Sequence, residues 1–338
     1  MFKKLLVPLD RSSFAEQALG PAVGIARASG AKLVLMMVHV PRPLAGALDV
    51  EWHASQLPRE DKYLAGIAER VTETTGISTS HVVASGDVVP TICDQALREN
   101  ADLVVMTSHA RTGFGRAWIG SIADGVIRES PLPVLMIRPR PDDTRAHSFA
   151  ETLQAGSTHD GFAFRRILVP LDGSILAREV LPAAAALAQC AGGHLVLLQV
   201  VEPIPSYTPQ MGISSGFAPP VPSALSTGDL VQIAEQSMTA TVSGLMGEGC
   251  EDVETRVLVA PDAGHAIVHF ALDNAIDVIA MSTHGRGVSR LLVGSVADKV
   301  LRASVVPMLL RRPAAKSATR TTERERAETA QPSTITVI

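Results

Sequence analysis

Two aspartates stand where a ligand could be held, each directly after an apolar run that opens one half of the chain. Residues 7–10 and 169–172 both read Val-Pro-Leu-Asp and end in Asp10 and Asp172. In an open parallel sheet, ligands bind in the crevice beyond the carboxyl ends of the strands. A carboxylate there can accept hydrogen bonds from a ribose hydroxyl or an adenine amino group. The alternative is that each aspartate caps the following helix, since unpaired N–H groups at a helix start favour an acidic side chain.

A second group of residues suited to phosphate follows the fourth predicted strand of the second half. Residues 282–290 read Ser-Thr-His-Gly-Arg-Gly-Val-Ser-Arg, and Gly294-Ser295 precedes a predicted helix. A glycine-rich loop that leads into a helix can bind phosphate, because backbone N–H groups and the helix dipole both favour the anion. The alternative is a polar loop with a serine cap. The loop is neither a Walker A motif nor a Rossmann fingerprint, since the chain has no Gly-Lys-Ser/Thr and residue 290 is arginine.

Both groups of residues occur twice because the chain repeats itself. Residues 106–109 (Met-Thr-Ser-His) correspond to 281–284 (Met-Ser-Thr-His), and residues 120–124 (Gly-Ser-Ile-Ala-Asp) correspond to 294–298 (Gly-Ser-Val-Ala-Asp). A repeat of this length is a duplicated domain, because a solenoid unit has a period of about 20–50 residues. We therefore expect domains at 1–140 and 164–312, joined by a linker at 141–163 and followed by a disordered tail at 313–338.

Each half alternates short apolar runs with amphipathic stretches, which predicts an α/β fold with a parallel sheet. In the first half, strands are predicted at 4–9, 33–40, 79–84, 103–106 and 134–137, and helices at 13–28, 56–74, 89–99 and 122–129. In the second half, strands are predicted at 166–171, 195–201, 254–260, 278–281 and 308–310, and helices at 176–190, 229–247, 263–274 and 296–302. Because unpaired edge strands invite pairing, we predict that the two halves pack through their final strands.

The composition excludes several classes of protein. A net charge of −4 gives no basic surface for nucleic acid. No stretch of about 18 apolar residues occurs, so no membrane span is expected. The three cysteines lack metal or redox spacing, which fits a reducing cytoplasm. The proline-rich segment 203–222 occurs only in the second half and is expected to be either a ligand-covering loop or plain surface.

The two opening motifs, the two loops and the Pro-x-Leu endings together resemble a tandem pair of universal stress protein domains. The resemblance covers residues 2–138 and 165–311 and implies two five-stranded parallel sheets of the adenine nucleotide alpha hydrolase-like type. It also implies binding of ATP or a related adenine nucleotide, with or without Mg²⁺, in a cytoplasmic stress sensor. Domains of this family often dimerise through the last strand, which implies an internal pseudo-dimer and leaves a homodimer open. The implied contacts are Pro170, Asp172, Val200, Met281, Ser282, His284, Gly285, Arg286, Gly294, Ser295 and Val296 in the second half, and Pro8, Asp10, Val38, Met106, Thr107, His109, Gly120, Ser121 and Ile122 in the first.

The chain departs from the family pattern Gly-x-x-Gly, nine residues, Gly-Ser/Thr in both halves. In the first half, Thr107 and Ala110 replace the two leading glycines, although the spacer is intact. In the second half, Ser282 replaces the first glycine, Gly285 is present, and the spacer has eight residues. The second half is therefore the favoured binding site, because it keeps one glycine and more basic residues. A scaffold that has lost nucleotide binding and a slow ATP hydrolase are the alternatives.

Overall fold

Ten of the described strands, five from each half, form a single sheet, and a short pair of strands lies apart from it. The computed structural model describes residues 1–41, 43–44, 47–108, 119–138, 164–204, 225–247, 250, 252–283 and 294–313. The strands of the first half are β1 (Lys4–Pro8), β2 (Lys32–His39), the short pair β3 (Pro43–Leu44) and β4 (Ala47–Leu48), β5 (Thr79–Ser85), β6 (Leu103–Thr107) and β7 (Val134–Ile137). Those of the second half are β8 (Arg166–Leu171), β9 (His194–Val201), β10 (Val253–Val259), β11 (Val278–Ser282) and β12 (Met308–Arg311).

The helices lie between these strands and cover both faces of the sheet. In the first half they are α1 (Ser13–Glu16), α2 (Leu19–Ser29), α3 (Val50–Thr75), α4 (Val88–Arg98) and α5 (Ser121–Glu129). In the second half they are α6 (Ile175–Arg178), α7 (Leu181–Ala191), α8 (Thr227–Gly247), α9 (Ala263–Asp273) and α10 (Ser295–Ala303). The predicted α/β fold is confirmed, and most predicted boundaries lie within two residues of the observed ones.

Three of the predicted helices are wrong in their bounds. The single helices predicted at 13–28 and 176–190 are each broken into two, and both breaks have the same cause. A proline has no backbone N–H to donate to the carbonyl of the residue four positions earlier, and its ring clashes with that carbonyl. For Pro21 and Pro182 those residues are Gln17, the C-cap of the first helix at Ser13–Glu16, and Arg178, the last residue of Ile175–Arg178.

The third error concerns α3, which begins at Val50 and not at the predicted residue 56. Its start is set by Asp49, whose carboxylate accepts a hydrogen bond from the Trp52 N–H at 3.0 Å. The short β3–β4 pair before it was not predicted either.

The order of the strands places a crevice at the same point in each half. The sheet runs β10-β9-β8-β11-β12-β7-β6-β1-β2-β5. β1 therefore lies between β2 and β6, and β8 lies between β9 and β11. At each of these strands the order of strands in the sheet reverses its direction. This topological switch point, at the carboxyl ends of the parallel strands, is where open α/β sheets bind ligands.

The two halves meet through their last strands, as predicted. β7 and β12 are antiparallel, and Leu135 lies opposite Leu309. Arg311 and Arg312 of the second half donate to the carbonyls of Pro131 and Glu129 at the end of α5, at 2.6 and 3.4 Å. On one face of the sheet α2 packs against α7, and each face carries a buried core that contains residues of both halves. The halves are thus one folded unit, and the arginines at the end of β12 donate to carbonyls at and just after the end of α5 across the junction.

A backbone difference between the halves lies directly after the two aspartates. Arg11 has φ of 64°, and Gly173 at the corresponding position has φ of 82°. Glycine adopts this left-handed region readily, whereas other residues are strained there by about 1–2 kcal/mol.

We expect Arg11→Gly to stabilise the chain by up to about 1 kcal/mol, since the relief of strain is partly offset by the greater freedom of glycine in the unfolded state. Gly173→Ala is the matched opposite change and should destabilise by about 1 kcal/mol. Urea unfolding followed by circular dichroism measures both free energies. The two changes in free energy of unfolding should have opposite signs. A destabilised Arg11→Gly variant would contradict the assignment of backbone strain to Arg11.

Candidate functional site

A cavity of about 280 Å³ opens at the switch point of the second half. Four parts of the second half line it: the end of β8 with the helix after it, the end of β9, the start of α9, and the end of β11 with the start of α10. The lining residues are Pro170, Leu171, Asp172, Ala177, Leu198, Val200, Ala263, Ile267, Met281, Ser282, Thr283, Gly294, Ser295, Val296 and Ala297. Eight of the residues predicted for the second half line this one cavity: Pro170, Asp172, Val200, Met281, Ser282, Gly294, Ser295 and Val296.

The aspartates of the two opening motifs do not cap the helices that follow them. Ser12 and Ser174 are the capping residues, and each hydroxyl accepts from the N–H three positions later at 3.1 Å. Asp10 and Asp172 lie two residues earlier, and Oδ1 of each accepts the N–H of that serine at 2.9 Å. The carboxylate therefore shapes the turn, and the cap predicted as the alternative role falls to serine. Asp172 is partly exposed at the cavity wall.

Buried hydroxyls lie where β11 ends. Ser282 is buried and its Oγ donates to the Ala177 carbonyl at 3.3 Å. Thr283, the next residue, is fully buried. Its carbonyl accepts from the Gly294 N–H at 2.7 Å, which brings the N-terminus of α10 beside the end of β11. The exposed Ser295 begins α10, so the first N–H groups of a nine-residue helix face the cavity mouth.

The first half repeats this arrangement of backbone. The Gly120 N–H donates to the Ser108 carbonyl at 2.8 Å, as Gly294 does to Thr283. The residues predicted for the first half lie at the same end of the sheet: Pro8 at the end of β1, Asp10 after it, Val38 in β2, Met106 and Thr107 at the end of β6, Gly120 as the cap of α5, and Ser121 and Ile122 at its start.

Several predicted contacts lie outside the described residues: His109 in the first half and His284, Gly285 and Arg286 in the second. The same holds for Ala110, the linker 141–163 and most of the segment 203–222.

The wall that α9 provides was not among the predicted contacts. Ala263 and Ile267 lie on successive turns of this helix and both line the cavity. Val88 and Ile92 occupy the corresponding positions of α4 in the first half, as the alignment of the repeats shows. The first half thus carries the larger valine side chain where the second half has Ala263. The only usable signal was this size difference between the two repeats.

The described residues also bear on metal sites and membrane spans. Among the described residues, no three or more His, Cys, Asp or Glu side chains are grouped so that they could hold a metal ion. No described helix has the length and the apolar character that crossing a membrane requires.

Comparison with known proteins places both halves in one family. The model of the universal stress protein family matches residues 1–138 and 163–312. A universal stress protein of Thermus aquaticus is 30% identical over 139 residues, 41% of this chain and the whole of that protein. One from Synechocystis is 34% identical over 140 residues, 40% of this chain and 86% of that protein.

Solved structures agree on the fold of the whole chain. A universal stress protein from Archaeoglobus fulgidus aligns with a TM-score of 0.62 and 20% identity, over 92% of this chain and 96% of that one. A second structure, from Pseudomonas aeruginosa, aligns with a TM-score of 0.59 and 18% identity over 92% of this chain and 94% of that one. The two matches of the family model span most of the chain, so this protein belongs to the universal stress protein family and carries two of its domains in tandem.

Proposed function

We propose that the second half binds ATP or a related adenine nucleotide in the cavity between β8, β11 and α9, and that the protein acts as a nucleotide-dependent sensor in a stress response. The observation that carries this proposal is the chemical character of the cavity. Leu198, Val200 and Ile267 supply apolar walls for a purine ring, and the carboxylate of Asp172 can accept hydrogen bonds from ribose. Small-molecule sites combine apolar walls with a few directed polar groups in this way.

The phosphates would lie toward the start of α10. Its first N–H groups, the Ser295 hydroxyl and the positive end of the helix dipole favour an anion at this position. Arg286 and Arg290 follow β11 in the sequence and are the positively charged residues between β11 and α10. A Mg²⁺ ion would arrive with the phosphates, as is usual for ions that keep most of their water ligands.

The first half is proposed to have a structural role. Val88 occupies the position that corresponds to Ala263, and Thr107 and Ala110 occupy the positions of the two leading glycines of the family pattern. Added side chains at these positions oppose a close approach of a ligand to the backbone. The tandem chain would then have one binding half and one supporting half.

We expect Asp172→Ala to weaken ATP binding about 10- to 150-fold, which corresponds to a hydrogen bond to a charged group of about 1.5–3 kcal/mol. Asp10→Ala is the matched control in the first half and should leave the affinity unchanged. Isothermal titration with ATP measures both affinities, and circular dichroism checks that the variants fold. Unchanged affinity in a folded Asp172→Ala variant would contradict the assignment. Assay of released phosphate in the same samples separates a binder from a slow hydrolase.

A further inference from the structure

Two histidines and a glutamate form a buried contact that joins β2 to α3 in the first half. His39 is the last residue of β2 and its side chain is fully buried. Its Nδ1 lies 2.8 Å from Glu60 Oε2, and its Nε2 lies 2.5 Å from Nδ1 of His53. The ring of Trp52 packs against the same imidazole with centroids 5.2 Å apart. Three side chains of α3 therefore converge on one strand residue.

The second half shows that the fold does not need a histidine at this position. Val201 ends β9 at the position that corresponds to His39, and it is 6% exposed. A buried polar side chain costs free energy unless it is paired, whereas a valine does not. Packing alone therefore does not explain why the first half has His39 at this position.

The geometry of the contact limits how many protons it can hold. Glu60 as a carboxylate accepts from His39 Nδ1–H. The hydrogen bond between His39 Nε2 and His53 Nδ1 needs one proton, so one of these two nitrogens must donate and the other must accept. The contact therefore tolerates two neutral imidazoles, or a pair with one extra proton. When both rings are cationic, two N–H donors face each other and the hydrogen bond is lost. Two adjacent positive charges in a buried site also repel each other.

The part of α3 that this contact holds has little other anchorage. Within α3, the buried apolar side chains begin at Leu64, so residues 50–59 contribute none. Pro58 lies inside α3, just before the part of the helix that carries buried residues. Because proline has no N–H, the hydrogen bond to the Ala54 carbonyl is missing. Prolines at such positions are the usual sites of helix bending. Release of residues 50–59 would leave the buried part of α3 in place.

We propose that the Glu60–His39–His53 contact is a pH-sensitive latch that holds residues 50–59 of α3 on the end of β2 and releases them in acid. The released state holds two protons more than the neutral imidazole pair, and the closed state holds at most one more. Falling pH therefore favours release by mass action. The interval in which histidine side chains generally change charge, about pH 5 to 8, is therefore the one to examine.

Other titratable groups near the latch do not compete for this role. Asp61 pairs with His81 of β5 at 3.2 Å, and this pair lies on the surface. Tyr63 donates to Glu16 at 2.7 Å, and burial together with Glu16 raises the pKa of Tyr63, so it stays neutral throughout the range. The other titratable groups on the elements that contact α3 and β2 lie on several elements. They are Asp49, Glu51, Arg59, Lys62, Glu69, Arg70 and Glu73 on α3 and at its start, Lys32 on β2, Lys4 and Asp10 on and after β1, Arg27 on α2, and Cys93, Asp94 and Arg98 on α4.

The test uses Trp52 as an internal probe. The chain has two tryptophans, so Trp118→Phe leaves Trp52 as the single emitter. We expect its fluorescence to change in a single step between about pH 8 and about pH 5. Hydrogen exchange followed by mass spectrometry and corrected for intrinsic rates should become at least about tenfold faster in residues 50–58 at the acid end. Exchange in residues 63–75 should not change.

Three variants decide the result. His39→Val copies the second half and should abolish both pH-dependent changes. His53→Gln keeps a side chain that can hydrogen-bond but cannot titrate in this range, and it lies on a partly exposed helix turn, so it should fold and lose the step. His81→Gln removes the surface histidine beside α3 and should leave the step intact. The proposal would be overturned if the fluorescence step persisted in His39→Val and His53→Gln. It would also be overturned if Trp118→Phe with the latch intact showed no step, or if residues 63–75 were released together with residues 50–58. None of these measurements requires a nucleotide.

Discussion

Replacing Leu309 with aspartate is expected to unfold the chain or to lower its free energy of unfolding by more than about 4 kcal/mol. Leu309 is fully buried in β12 and lies opposite Leu135 of β7, at the junction of the two halves. A carboxylate there loses its hydration without gaining a partner, and the packing of both halves around it is lost as well. The milder change Leu309→Ala should cost about 2–5 kcal/mol.

The control for this prediction is Val305→Asp, four residues earlier, where the side chain is 56% exposed. A surface change of this kind should stay within about 0.5 kcal/mol. Urea unfolding of the full chain measures all three variants. Because each face of the sheet has a core shared by both halves, the unsubstituted chain should unfold in one transition. Two separate transitions, or a Leu309→Asp variant as stable as the control, would contradict a shared core.

Replacing Ala263 with phenylalanine is expected to reduce ATP affinity by at least about 100-fold, or about 2.8 kcal/mol. Ala263 lies at the start of α9 and lines the cavity. An aromatic ring at this position fills space that the purine would need. Because the residue is partly exposed at a helix start, the fold should survive the change.

The matched variant is Val88→Phe at the corresponding position of the first half. It should leave ATP affinity unchanged if the second half is the binding site. Isothermal titration gives both affinities, with circular dichroism as the check on folding. If Val88→Phe abolishes binding and Ala263→Phe does not, the first half is the nucleotide site and the assignment is reversed.

Local features of the chain were predictable because they depend on neighbours in sequence. The duplication, the apolar strands and the aspartates after β1 and β8 follow from residue type and spacing alone. Because open parallel sheets bind ligands beyond the carboxyl ends of their strands, the residues that gather at this edge could be anticipated. Eight residues predicted for the second half do line one cavity.

Boundaries failed where two local signals competed. The apolar pattern at 13–28 indicates one helix, but Pro21 removes a backbone donor and divides it. Asp10 and Ser12 are both good candidates for a helix cap, and only the observed hydrogen bonds assign the cap to serine. At α3 the cap Asp49 precedes a stretch without a buried apolar face, so periodicity placed the start too late.

Contacts between distant elements were decided by the tertiary structure alone. His39 and Glu60 are 21 residues apart on a strand and a helix, and no spacing rule joins them. Ala263 and Ile267 enter the cavity because α9 packs beside the end of β9, and Arg312 reaches the Glu129 carbonyl across 183 residues. Sequence patterns set which face of an element is apolar, whereas the partner of each polar group depends on how those faces pack. For that reason the sequence determined the fold and the location of the crevice, and only the packed structure determined its α9 wall and the buried latch.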